Sequence, residues 1–358
     1  MSASALSDTL RAVRDEGLPE LHNRNHLREA RESVAMQETP FGPVVQHVEV
    51  VDAHDTLVRL PCAHPAALLY AAVIASASLA TLFESRMNAC PPSPEHPWNL
   101  VLYSDEVTPG NPLHTHNMRK FWGVYFTFLE FGPHATSREE AWFPLMTAYS
   151  NVINDVDSGI SQVFGAIIKL FFNPEGFDFG IGGISLPLGD GRRFWCKLGL
   201  FLQDGAAHKM MWSSRAGACR LCLLCKNLFT SESAVVDADG TNLLTCNAVS
   251  DAECEPSTDD AIRTVARYLE RKAGTMLPTP FSRLQQACGI THARRSILLD
   301  RSLDDIVKPT TQYMHDWMHT LFVDGVVNLV VYLLFEAFIA DDRRTIYNTC
   351  KEFLEQWV

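Results

Sequence analysis

Two apolar runs that each end in an aspartate constrain this chain more than any other feature. Leu100 to Tyr103 is a short apolar run closed by Ser104-Asp105-Glu106. After the turn-rich stretch Thr108-Pro109-Gly110-Asn111-Pro112, a second run goes from Phe121 to Phe131, so the block reads as strand, long loop, strand. About a hundred residues after Asp105, the segment from Phe194 to Leu202 is apolar at alternate positions. Alternation puts Leu198, Leu200 and Leu202 on one expected face, with Asp204 next in that register. Each strand thus delivers a carboxylate at its end.

The rest of the chain alternates strands and helices, which predicts an α/β fold with a mixed sheet and flanking helices. Residues 1–41 are rich in charge and read as a peripheral arm. The valines from Val44 to Val51, followed by Thr56 to Leu60, predict a hairpin turned at Asp52 to Asp55. Pro65 opens an alanine-rich helix, where its missing N–H is harmless. Glu139 to Tyr149 is a third strand or a helix start. Helical spacing runs from Ile153 to Phe172, and a strand is expected within the glycine-rich stretch, from Ile181 to Leu188. A core over 42–227, which holds the C-x-x-C, is then followed by a cysteine-containing, partly loop-rich insertion over 228–300 with helices at Asp259 to Ala273 and Pro280 to Ala287. C-terminal helices are expected over 301–358, the first spanning Thr310 to Ala340.

At 358 residues and 47% hydrophobic composition the chain can bury a large core, which excludes disordered and small disulfide-scaffold classes. Its net charge of -12 argues against binding nucleic acid by bulk electrostatics, so any DNA contact is local. Ten scattered cysteines without a visible leader predict a reducing, intracellular setting. Two apolar stretches, Ala66 to Phe83 and Leu321 to Ala340, are read as buried helices and no membrane span is expected. The second carries Asp324, Asn328 and Glu336, and an aspartate at mid-bilayer costs roughly 3 kcal/mol on insertion scales.

Three constellations bear chemistry. Paired strand-end aspartates suit a site for two Mg²⁺ (or Mn²⁺) ions about 4 Å apart, which need oxygen ligands held on a rigid sheet; the bland alternative is that each caps a turn. Glu106 is the fallback ligand. Cys219-Arg220-Leu221-Cys222-Leu223-Leu224-Cys225 holds two overlapping C-x-x-C pairs. Cys222 and Cys225 with His315 and His319, one helical turn apart, would make a tetrahedral Zn²⁺ site; ordinary hydrogen-bonding histidines are the alternative. Basic residues beside both aspartates, Arg119 and Lys120 after the first and Lys209 and Arg215 after the second, are candidates to contact a DNA backbone.

The ordered set of Asp105, Asn111-Pro112-Leu113, Asp204, Cys222-x-x-Cys225 and Asp316-x-x-His319 resembles the transposase core of eukaryotic cut-and-paste elements of the CACTA (En/Spm) and Plavaka-like group, over roughly Ala66 to Glu336. The resemblance implies an RNase H-like domain of the DDE type, acting with Mg²⁺ on transposon-end DNA in the nucleus as a possible homo-oligomer. It makes Asp105 and Asp204 the first two metal-binding acids, and Glu336 is taken as the third because it is the one glutamate inside the apolar C-terminal stretch. His114 stands where the family usually has glycine, and no DNA-recognition finger is seen. The expectation is therefore a fragment, a decayed copy or a domesticated descendant with weak or absent activity. A non-enzymatic, zinc-stabilised DNA- or protein-binding remnant is the rival expectation.

Overall fold

Alternating valines make the first element. Strands β1 (Val45–Val51) and β2 (Leu57–Ala63) pair antiparallel from Val45 opposite Ala63 to Val51 opposite Leu57, burying Val48 and Val50 on one side. The turn lies where expected, with Asp52 Oδ1 accepting the His54 and Thr56 amides at 2.8 Å each. The computed structural model describes residues 36–108, 120–173, 176–189, 191–215, 223–226 and 255–316, with isolated positions at 29, 32, 33, 327, 330 and 331.

His64 caps helix α1 (Pro65–Ala75) by accepting the Ala67 amide on Nδ1, and Pro65 occupies the first turn. The single alanine-rich helix expected here is in fact broken. Ser76 ends α1 and, by accepting the Leu79 amide, starts α2 (Ala77–Ala89), with a bend of 112° between the two. A side chain that caps the next helix competes with continuing the present one. Among the described residues no single helix is long and apolar enough to cross a membrane. The stretch from Leu321 to Ala340 lies almost wholly outside them.

Strands β3 (Trp98–Val107), β4 (Phe121–Phe128) and β5 (Phe143–Tyr149) form an antiparallel meander, so the ambiguous third segment is a strand. The helical stretch expected from Ile153 to Phe172 splits into a short helix, Ser150–Asp155, and α3 (Ile160–Phe171). The break carries two left-handed residues, Ser158 at φ 65° and Gly159 at φ 55°, which a continuous helix cannot hold. The strand expected over Ile181 to Leu188 shrinks to Ile184–Ser185, paired with Arg193–Phe194.

Strand β6 (Cys196–Gln203) then enters parallel to β3. Its register shifts between Leu198, opposite Leu100, and Leu200, opposite Val101. This bulge at Gly199 moves Leu198 to the face opposite Leu200 and Leu202, correcting the simple alternation. Only glycine fits there, since a Cβ would lie 2.8 Å from Asn99 Cβ and 3.0 Å from Leu100 O. Asp204 keeps the register of Leu200 and Leu202.

Helices α4 (Gly205–Met211), α5 (Asp259–Ala273) and α6 (Pro278–Cys288) follow. Ile262, Leu269, Ile297 and Leu298 join the same hydrophobic core as the sheet, so residues 255–300 are built into the domain and do not hang off it. The long helix expected from Thr310 is corrected as well: after the turn Pro309–Gln312 the chain forms β7 (Tyr313–His315), parallel to β6. Gln312 explains the arrest, its amide donating to Leu198 O and Ile306 O at 2.9 Å each. The five-stranded sheet has the order β7-β6-β3-β4-β5.

At the start of β3 the core is aromatic. Phe83, Trp98, Phe128, Phe131 and Phe194 are all at most 2% exposed, with ring centroids 4.9 to 6.3 Å apart. The other anchor is ionic. Arg263, 2% exposed on α5, donates to Asp304 Oδ1 at 2.8 Å and to the Val307 carbonyl, while Arg267 holds the other oxygen of Asp304. Arg263→Ala should lower stability by about 2 kcal/mol in a urea titration, below the usual loss for a broken buried pair because Asp304 keeps Arg267. An unchanged midpoint would show that this arginine does not hold α5 to the 301–308 turn.

Candidate active site

The sheet brings three acids to one level, where β6 and β7 end; β3 runs on for two more residues to Val107, so Asp105 lies within its strand and not at the end expected. Ser104, Gln203 and His315 are mutual register partners across β3, β6 and β7, and the next residue along each chain is Asp105, Asp204 and Asp316. Adjacent strands lie about 4.8 Å apart and partners in a parallel pair share a face, so the three acids follow directly on neighbouring, in-register positions. The Asp316 amide donating to Gln203 O at 2.8 Å carries the β6–β7 pairing to this level. All three are half-buried.

A polar stitch sits directly beneath them. Gln203 and Ser104 are buried, and the Gln203 amide donates to Ser104 Oγ at 2.6 Å. That bond ties β3 to β6 at the residue before each acid. On the acid face, the Tyr103 hydroxyl donates to Asp105 Oδ2 at 3.4 Å. Burial, together with the charges of Asp105, Asp316 and Asp204, raises the pKa of this phenol, which places all three acids within electrostatic reach of one hydroxyl. Gly123, the β4 partner of Asp105, leaves room for the Tyr125 ring, which a Cβ would meet at 2.8 Å.

Asp204 has a second occupation. It is the N-cap of α4, with Oδ1 accepting the Ala207 amide at 2.6 Å, so the bland alternative of a capping aspartate is true of it. Capping takes one oxygen only. Among the described residues no three His, Cys, Asp or Glu side chains are gathered in a ligating arrangement.

Behind the acids α4 locks the fifth strand through His208. This fully buried imidazole accepts the Trp212 indole N–H on Nδ1, which leaves Nε2 to donate to Met314 O at 2.7 Å, and the ring stacks on Tyr313 at 3.8 Å. Burial pulls its pKa down to about 4. His315 lies edge-on to His208 at 5.2 Å, and burial lowers its pKa against the pull of Asp204.

The remaining sequence candidates fare unevenly. His315 is on a strand and not a helix, so the one-turn spacing to His319 that suggested a zinc pair does not hold at this position. Cys225 is half-buried and bridges to Pro256; Cys222, His319, Arg119 and Glu336 lie outside the described residues. Lys120 pairs with Glu106, the fallback ligand, at 3.0 Å. Arg215 donates to Ser282 Oγ at 2.8 Å, and Lys209 is exposed in the last turn of α4.

Sequence reasoning missed Asp316 as a partner of the other two acids, although it stood in the D-x-x-H motif. Reading Tyr313-Met314-His315 as a strand, which its aromatic start allows, would have aligned it with Asp204. No family model matches the chain, and no curated protein matches it. The chain has a mixed α/β fold built on a five-stranded sheet.

Proposed function

We propose that this chain is an RNase H-like domain of DDE transposase descent, in which Asp105, Asp204 and Asp316 hold Mg²⁺ or Mn²⁺ for cleavage or transfer of a DNA strand. The observation that carries this reading is that the residues just before the three acids are in register on three adjacent strands. Counted along the chain the sheet strands lie in the order five, four, one, two, three. Asp105 therefore lies on the first strand and Asp204 at the end of the fourth, which are neighbours, and that supports the RNase H-like reading. Asp316 takes the role that the sequence alone gave to Glu336.

The donors suit a hard cation. Carboxylate oxygens on a rigid sheet are the usual ligands of Mg²⁺. Among the described residues Asp105 and Asp204 each give one oxygen to a protein donor and keep the second for a ligand. When bound, the metal supplies phosphate neutralisation and activation of the attacking oxygen. The protein's own residues orient and support. The Gln203–Ser104 stitch fixes the spacing of the first two acids, Tyr103 holds the rotamer of Asp105, and His208 secures the strand that bears Asp316. Lys209 and Arg215 are proposed to meet the DNA backbone, consistent with contact that is local in an acidic chain. Zn²⁺ at Cys222 and Cys225 remains a separate proposal resting on the C-x-x-C spacing.

Mn²⁺ titration followed by electron paramagnetic resonance is the direct test, paired with nicking of supercoiled plasmid by the full chain. Saturable Mn²⁺ binding at sub-millimolar concentration is expected, with slow nicking that needs the metal. No saturable Mn²⁺ binding would sink the metal site, and bound zinc with no Mn²⁺ binding would favour the non-enzymatic remnant.

A further inference from the structure

At the far end of β3 and β6 from the acids there is a second concavity, with a volume of about 650 Å³. It opens between the starts of those strands, the turn at Asp178–Ile181 and the segment from Ser302 to Gln312. Five to six residues of strand at about 3.3 Å each separate it from Asp105 and Asp204, or roughly 20 Å. It is a separate site, and nothing in the proposed metal chemistry uses it.

The lining has a specific chemical character. Its floor is apolar, made by Phe172, Leu198 and Ile306, with the buried Cys196 thiol beneath. Burial pushes that thiol well above its ordinary pKa, so the floor carries no charge. Most polar groups around it are already committed. Asp178 Oδ1 accepts the Gly180 and Ile181 amides, the Gln312 amide is held by two carbonyls, and Lys308 Nζ donates to Asp304 O. Of the four charged side chains on the lining, Asp178 and Lys308 are thus held by backbone groups, and Lys197 and Asp305 are not. Lys197 on β6 and Asp305 on the facing segment both line the cavity and both are exposed. Neither forms an ion pair among the described residues, and they do not pair with each other.

A cation and an anion that line one partly apolar cavity without pairing to each other are complementary to a ligand that carries both charges on an apolar body. The volume falls inside the range of about 300–1,000 Å³ that small-molecule sites occupy, and a few polar groups over an apolar floor is their usual design. We propose that this cavity binds a small amphoteric molecule of the amino-acid class, its carboxylate at Lys197, its ammonium at Asp305 and its apolar group against Phe172, Leu198 and Ile306.

The test uses the full chain and three probes observed by saturation-transfer NMR and calorimetry: L-phenylalanine, phenylacetate and phenethylamine. Phenylalanine should bind saturably and more tightly than either singly charged probe. Lys197→Gln should weaken phenylalanine and phenylacetate about fivefold, the effect of one exposed ion pair, and leave phenethylamine unchanged. Asp305→Asn should do the converse. Both positions are exposed, so both variants keep the fold. Absence of saturable binding by all three probes would overturn the site. Binding indifferent to both variants would overturn its location, and phenylacetate binding as well as phenylalanine would overturn the amphoteric class. Each outcome is independent of Mn²⁺ binding at the acids.

Discussion

Asp204→Asn is expected to abolish metal-dependent DNA nicking, by at least about 10³-fold, while leaving the fold intact. The two halves of that result come from different atoms of one side chain. As N-cap of α4, Asp204 uses Oδ1 to accept the Ala207 amide, and asparagine caps as well as aspartate. Stability should therefore fall by less than about 1 kcal/mol, the scale of the lost charge at a helix N-terminus. As a proposed metal ligand, Asp204 needs the charged carboxylate that asparagine lacks. Residues that only orient metal ligands are worth about 10–100-fold, so a ligand itself should be worth more. Asp204→Ala separates the roles further, since it removes the cap as well and should cost about 1 kcal/mol beyond the asparagine variant. Thermal melts and plasmid nicking on the two variants decide it. If the asparagine variant nicks at the wild-type rate, Asp204 is a capping residue and no more.

The second large effect is acid destabilisation in a window set by histidines. His64 and His208 are buried, 8% and 0% exposed, and burial depresses both to about 4 from an ordinary 6.5. In the unfolded chain they protonate near pH 6.5; in the folded chain they stay neutral to about 4. Above pH 6.5 the two states hold the same protons and stability is at its full value. As pH falls from 6.5 toward 4 the unfolded state alone takes up protons, so stability is lost across that interval. At 1.36 kcal/mol per pKa unit each histidine accounts for about 3 kcal/mol over the whole window, and the pair for about 4 kcal/mol between pH 7.5 and 5. Asp52 and Asp55, whose carboxyls are held below their ordinary range by hydrogen bonds from the Thr56 backbone and from Arg294, act only at lower pH. Urea midpoints at a series of pH values give the slope. His64→Asn keeps an N-cap acceptor and removes one titration, so it should make that slope shallower, with His208 and the lowered His315 still contributing; a stability flat from pH 7.5 to 5 would show that neither His64 nor His208 is held neutral.

Local chemistry made much of the fold legible in advance. The valine hairpin and its Asp52 turn, Pro65 at the start of α1, the runs that become β3, β4 and β6, and helices α5 and α6 all follow from period, caps and turn residues. The misses share a cause. Ser76, Ser158-Gly159 and Gly199 interrupt patterns that otherwise look continuous, and each does so through a capping side chain, a positive φ or a close backbone approach. Residues 313–315 sit at the head of an apolar stretch that reads as helix, and pairing with β6 overrides that reading.

For the acids, the sequence by itself determined that Asp204 would follow a strand end and that Asp105 would lie on a strand, because alternation is a local property; β3 running on past Asp105 to Val107 was set by its pairing with β4. That β6 lies parallel beside β3, that the Gly199 bulge leaves Asp204 on the face of Asp105, and that Asp316 joins them from β7 were decided only by the tertiary structure. Which strand becomes whose neighbour depends on hydrogen bonds between residues some hundred positions apart, such as Gln203 to Ser104 and Gln312 to Leu198, and no window along the chain contains both ends of those bonds.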